Sequence, residues 1–202
     1  MLDKNPHQVL DNKLEKIKIE FSKNNPNFIL CKKPFLKSEF LNRLIEMVDF
    51  PVVFFDIDFL YTGYVKSGLI KKTGRVTIIP GNKKNFNQNL KQIIELISKK
   101  RVLLVIDTLN GVYNMFDELE SARFVNAVIM LLSAISRQTQ SQIIVSGIAT
   151  KNEDGKLVLS PSGRHLINSK KTGAYFLSII DSKIILKPIE NSLIDHSFVI
   201  EK

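Results

Sequence analysis

Residues 101–111 read RVLLVIDTLNG. Val102–Ile106 is an unbroken run of β-branched residues and leucine, and Asp107 closes it. So short an apolar run, ending in an acid, reads as a strand buried on both faces of a parallel sheet. The carboxylate then stands at the strand's carboxyl end, where open α/β sheets place their ligands. In nucleotide-hydrolysing folds an Asp at that place holds the Mg²⁺ of a bound triphosphate. A buried strand whose Asp only caps the next loop fits the stretch equally well. The surrounding chain has to choose between the two.

Outward from this strand, helical and extended patterns alternate. Asn85–Lys99 carries Leu90, Ile93, Ile94 and Ile97 at helical spacing on the upstream side. Downstream, Asp117–Thr139 predicts the longest helix, with Phe124, Ala127, Val128, Leu131, Leu132 and Ile135 as its buried stripe. Asp117, Glu118 and Glu120 fall in its first turn, where the helix dipole favours anions. Further helices are predicted over residues 6–23, with Val9, Leu10, Leu14, Ile17 and Phe21 on one face, and over Lys37–Val48. Strands are predicted at Phe28–Cys31, Pro51–Asp56, Arg75–Pro80 and Gln142–Ile148. Ile57–Ile70 is a loop or a short helix. After Ile148 the rhythm changes to Lys156–Leu159, Ala174–Ile180 and Lys183–Ile189, three strands with a tight Asp181-Ser182 turn between the last two. The expected fold is therefore α/β in three layers: a mostly parallel sheet, helices on both faces, and a C-terminal antiparallel extension. It divides into an N-terminal helix (1–26), a core (27–190) and a C-terminal tail (191–202).

Composition narrows the classes. At 202 residues, with 44% hydrophobic and 24% charged residues, the chain can build one ordinary core. No apolar run approaches the about 18 residues of a membrane span. The first residues contain no apolar signal core, so a cytoplasmic protein is expected. One cysteine, Cys31, rules out an internal disulfide, and with three histidines a structural zinc site is not expected. The net charge of +9 points to a polyanion, nucleic acid being the usual one, although lysine bias alone would also raise it.

The first strand–helix unit, Phe28-Ile-Leu-Cys-Lys-Lys-Pro-Phe-Leu-Lys-Ser38, aligns with the phosphate-binding pattern G-x-x-x-x-G-K-[ST]. Lys37 and Ser38 match its end. Cys31 and Leu36 occupy both glycine positions, and Pro34 removes an N–H donor. The glycines let the backbone curl into a nest of N–H groups that side chains resist. An ordinary βα loop with a chance Lys-Ser pair is the plainer reading.

Element order favours the richer one. The phosphate-loop-like unit, the strand VVFFDID with Asp56 and Asp58, the strand ending Asp107-Thr108, the long helix and the closing meander resemble the RecA/RadA recombinase superfamily, which also includes KaiC-like ATPases and recombinase paralogues. The likeness runs from about Phe28 to about Ile189. It implies a RecA-like fold. It assigns Lys37 to the phosphates, Ser38 to the magnesium side, and Asp107 to the metal site. Asp58 falls where the family keeps a catalytic glutamate, one methylene too short, and misplacing a base by about that much costs on the order of a hundredfold. Ser146-Gly147 replaces an Asn-Gln pair that senses the γ-phosphate, and Ser160-Pro-Ser-Gly163 resembles the turn after the DNA-contacting loop.

With both cradle glycines, the base and the sensor amides altered, efficient hydrolysis is not expected, and Lys37, Ser38, Asp58 and Asp107 read as vestiges. The segment matching the DNA loop carries Lys151, Lys156, Arg164, His165, Lys170 and Lys171. Lysines on such loops neutralise phosphates with little sequence preference. Lys66, Lys71, Lys72, Arg75, Lys32 and Lys33 extend that surface in this reading, and Tyr61 and Tyr64 stack a base or, better, pack a loop. The expected function is a DNA-binding accessory factor in homologous recombination or repair, partnered by an active RecA/RadA-type recombinase or by itself. It uses no membrane and needs no cofactor. Two alternatives stay open: a divergent ATPase that still binds Mg-ATP, and a KaiC-like regulatory protein that does not touch DNA.

Overall fold

The computed structural model describes residues 6–116, 118–160, 171–189 and 197–200, with the side chains of residues 6–14 and 118–121 excepted. In chain order the elements are α1 (Pro6–Lys23), β1 (Asn27–Cys31), α2 (Pro34–Glu46), β2 (Val52–Asp56), α3 (Leu60–Lys66), β3 (Val76–Pro80) and α4 (Phe86–Lys99). They continue with β4 (Leu103–Asp107), α5 (Leu109–Met115), α6 (Glu118–Gln138), β5 (Gln142–Lys151), β6 (Leu157–Leu159), β7 (Gly173–Ile180), β8 (Lys183–Pro188) and β9 (Phe198–Ile200). One sheet runs in the order β3-β2-β4-β5-β1-β7-β8-β9, with β6 paired to β5. From β3 to β7 all neighbours are parallel, whereas β8 and β9 add antiparallel. The expected three-layer architecture is the observed one.

Strand alternation sorts the core into two halves. Ile29, Val52, Phe54, Leu103, Val105 and Ile144 point to one face and meet α1, α2 and α3. Phe28, Val53, Phe55, Leu104, Ile106 and Val145 point to the other and meet α4, α5 and α6. Both faces of the central strands are buried, which is why their sequences are continuous apolar runs. Tyr61 is wholly buried, stacks on Phe54 with ring centroids 4.0 Å apart, and donates its hydroxyl to Asn42 Oδ1 at 2.8 Å. Its role is packing, and burial pushes its phenol up to about 12. Among the described residues no helix is long and apolar enough to cross a membrane.

Four elements differ from the pattern reading. Helix α2 starts at Pro34, three residues before the predicted start at Lys37. Proline at the first helical position loses no hydrogen bond and carries a helical φ, so the residue that reads as a loop defect is a helix start. Helix α5 has no counterpart in the pattern, although Thr108 caps it by accepting from Gly111 N at 3.1 Å. In α6 the buried positions are Val125, Ile129, Leu132, Ser133 and Ser136, whereas Leu131 and Ala127 are exposed. Ser133 and Ser136 donate back to Ile129 O (2.7 Å) and Ser133 O (2.9 Å), which lets hydroxyls sit on the inner face. An apolar count cannot find such a face. Finally, Phe198–Ile200, within the segment expected as a tail, pairs with β8 and buries Ile200.

Candidate functional site

The register of the parallel strands builds one polar cluster. Asp56 lies beside Asp107 in the β2–β4 pairing, and Ile29 lies beside Ser146 in the β1–β5 pairing. Asp56, Asp107 and Ser146 share strand parity with the residues that face α2, so all three emerge under the first turns of that helix. Lys37 and Ser38 come down from it. Each of the five is buried.

Asp107 Oδ1 takes both the Lys37 ammonium and the Ser146 hydroxyl. Lys37 and Asp107 are each 0% exposed. Such a pair holds only while both charges are present, because either one alone would be buried without compensation. Next to it, Asp56 Oδ2 accepts from Thr62 N at 2.7 Å and from the Thr62 hydroxyl. Ser38 Oγ, Asp56 Oδ1 and Asp107 Oδ2 have no hydrogen-bond partner among the described residues. Asp58 is half-buried and accepts from the Thr108 hydroxyl, which ties the β2–α3 turn to the cap of α5. The Asp107–Thr108 peptide is cis.

Burial raises the Asp56 carboxyl above its ordinary range; the two Thr62 hydrogen bonds oppose this and the Asp107 charge adds to it. The folded protein therefore holds this proton more tightly than the unfolded chain. The group's contribution to stability is greatest at low pH and declines as pH rises from about 4 through the raised native value. Asp56→Asn keeps the Thr62 acceptor and removes the titration. The variant is expected to gain on the natural protein between pH 4 and pH 7 in urea unfolding. A stability difference equal at both pH values would show that Asp56 does not carry the effect.

These residues do not fit a Mg²⁺-bound triphosphate held in a phosphate loop. Where the pattern needs a curled loop across residues 31–36, only Lys32 and Lys33 lie between β1 and α2. Pro34, Phe35 and Leu36 are already helical, and Leu36 is packed in the core. The ammonium that would face phosphates points inward to Asp107 instead. Phe35 is 41% exposed and meets Tyr64 edge-on at 5.2 Å.

The basic residues fall at two ends of the sheet. Lys151 and Lys156 lie on the β5–β6 hairpin beyond the carboxyl ends of the strands, as do Lys32 and Lys33, and all four are exposed. Lys171 precedes β7 at the opposite end, where its carbonyl accepts from Asn25 N at 2.8 Å. Lys71 and Lys72 precede β3 on that same amino-end side. The chain therefore does not gather Lys71, Lys72 and Lys171 with Lys151. Arg164, His165, Lys170 and the turn at 161–163 lie outside the described residues.

Pattern reasoning assigns no such role to Ser146, Asp56, Thr62 or Asn110. Asn110 accepts from Ile148 N at 2.7 Å, and donates to Ile148 O at 3.1 Å and to Ser160 O. It locks α5 to the base of the β5–β6 hairpin. The one available signal is a polar residue that closes an apolar run, Ser146 after Ile143–Val145 and Asp56 after Val52–Phe55.

No protein-family model and no curated protein sequence matches the chain. Solved structures similar to it include the following two. The ATPase domain of a helicase aligns over 97% of this chain and 94% of its own, at 11% identity and a TM-score of 0.58. The RadB recombinase aligns over 86% of each chain, at 12% identity and a TM-score of 0.54. Both are RecA-like, and the likeness establishes a RecA-like α/β fold for this chain.

Proposed function

We propose that this chain is a nucleic-acid-binding accessory protein in DNA recombination or repair. It uses a RecA-like domain as a scaffold and works beside an active recombinase, without efficient ATP hydrolysis. The observation that carries this reading is the occupied lysine. Lys37, the cation that the pattern assigns to the phosphates, is buried against Asp107, and the connection that should cradle phosphates is two residues long. What remains at the carboxyl ends of the strands is an exposed group of lysines, Lys32, Lys33, Lys151 and Lys156, on a chain of net charge +9. Their contacts would be to phosphates, which position a strand and carry no sequence information.

The test is fluorescence anisotropy with a labelled single-stranded oligonucleotide at about 50 and about 200 mM salt. With about four phosphates neutralised, affinity falls roughly fifty-fold across that range. Lys151→Gln/Lys156→Gln lowers the salt slope by about 1.4. An oligonucleotide that fails to bind at the lower salt overturns the reading. The second reading, a divergent ATPase, is favoured by Ser38 Oγ and Asp107 Oδ2, which have no hydrogen-bond partner among the described residues. It predicts ATP turnover that Ser38→Ala abolishes, whereas the accessory reading predicts turnover no greater than that of buffer.

A further inference from the structure

A cavity of about 370 Å³ opens beyond the carboxyl ends of β1 and β7, between the start of α2 and the β5–β6 hairpin. Leu36, Leu157, Phe176 and Leu177 contribute its apolar walls, and Lys32, Lys33 and Lys151 contribute cations. No acidic side chain lines it among the described residues. None of the three lysines has a carboxylate partner among the described residues. Phe176 and Leu157 are only partly buried, so apolar surface is left open inside. This differs from the Lys37–Asp107 cluster, which is closed to solvent.

We propose that this cavity is a binding site for a small organic anion, with a flat apolar body and one phosphate or carboxylate head. The inference goes beyond nucleic-acid binding, and Lys32, Lys33 and Lys151 are common to both surfaces. The volume lies near the lower end of the range for small-molecule pockets, which run from about 300 to 1,000 Å³. Apolar walls remove the body from water, which is the main source of affinity in such pockets. Unpaired ammonium groups at one site make a neutral occupant a poor match, since an anion relieves their mutual repulsion. Lysine, a point charge on a flexible stem, accepts either head group without demanding bidentate geometry.

The experiment uses the full chain with 1-naphthyl phosphate and 1-naphthoate as probes, and 1-naphthol and inorganic phosphate as controls. Binding is read by calorimetry and by amide shifts of Gly155, Leu157 and Ser178. A probe of this size is expected to bind with Kd on the order of micromolar to millimolar. Either acid is expected to bind at least tenfold tighter than naphthol and than inorganic phosphate, and the tighter of the two identifies the head group. Lys32→Gln/Lys33→Gln/Lys151→Gln, all at exposed positions, weakens it about tenfold or more. Leu157→Gln, on a three-residue edge strand, weakens it without removing a charge. The proposal is overturned if the triple variant binds like the natural protein, if either control binds as well as the acids, or if the amide shifts map elsewhere. The oligonucleotide assay is independent of these outcomes, so failure here leaves the accessory reading standing and the converse also holds.

Discussion

Lys37→Met is expected to destabilise the folded protein by about 3–5 kcal/mol. The methionine fills most of the lysine's volume, so the loss comes from charge and not from a void. It leaves the Asp107 carboxylate wholly buried, with the Ser146 hydroxyl as its one remaining partner among the described residues. Asp107→Asn leaves the ammonium in the same position, and costs a similar amount. The pair as a whole is a different matter, because burying two charges is itself expensive. Lys37→Met/Asp107→Leu removes both and is expected to recover most of the loss. Since domains of this kind are stable by about 5–15 kcal/mol, the single variants approach the limit of folding and the double variant does not. Urea unfolding of the three proteins measures this. A single-variant cost under about 1 kcal/mol, the level of an exposed ion pair, would mean that the pair is solvated and that Lys37 is free to meet phosphates after all. The same result would undermine the accessory reading, whose main support is the occupied lysine.

The second large effect is expected at Gly111, the last residue of RVLLVIDTLNG. A Cβ built there would collide with Asp58 Oδ1 and stand 2.6 Å from Ile57 Cγ2. Neither atom retreats easily. Asp58 is held by the Thr108 hydroxyl, and Ile57 is 4% exposed in the core beneath α5. Gly111→Ala therefore forces apart the contact between the β2–α3 turn and the cap of α5. Overpacking of this sort costs about 1–3 kcal/mol. Disturbing the cap adds about 1 kcal/mol more. The cause can be separated from a general dislike of the alanine. Asp58→Ala removes the nearer clash, so the two changes together should cost clearly less than the sum of each alone. Thermal or urea unfolding of the four-protein cycle reads the coupling, and additive effects would show that Asp58 is not what the methyl group meets. The glycine is needed for close approach and not for backbone freedom, since its φ is an ordinary negative one.

Much of this arrangement is legible in order and periodicity. Buried strands at Val52–Asp56 and Leu103–Asp107 announce themselves as apolar runs closed by acids, because a parallel strand covered on both faces tolerates nothing else along its length. The likeness in element order from Phe28 to Ile189 leads to the right fold, although only 11% and 12% of residues are identical in the similar structures. The stripe of α6 is misread because Ser133 and Ser136, polar by type, pass for outward residues, whereas their hydrogen bonds to their own helix let them face inward. The basic surface is overdrawn for a different reason. Lys151 and Lys171 are close in sequence but lie at opposite ends of the strands, and sequence distance carries no record of which end a residue reaches.

The sequence alone therefore determined the class of fold and the presence of Asp107 at the end of a central strand, since both follow from local pattern. Only the tertiary structure decided what Asp107 does. Strand register sets it beside Asp56 and Ser146, and the early start of α2 at Pro34 lowers Lys37 onto it. A carboxylate that a local reading offers to magnesium is neutralised by an ammonium from the same chain, because in a closed interior the nearest opposite charge is the one that keeps it folded.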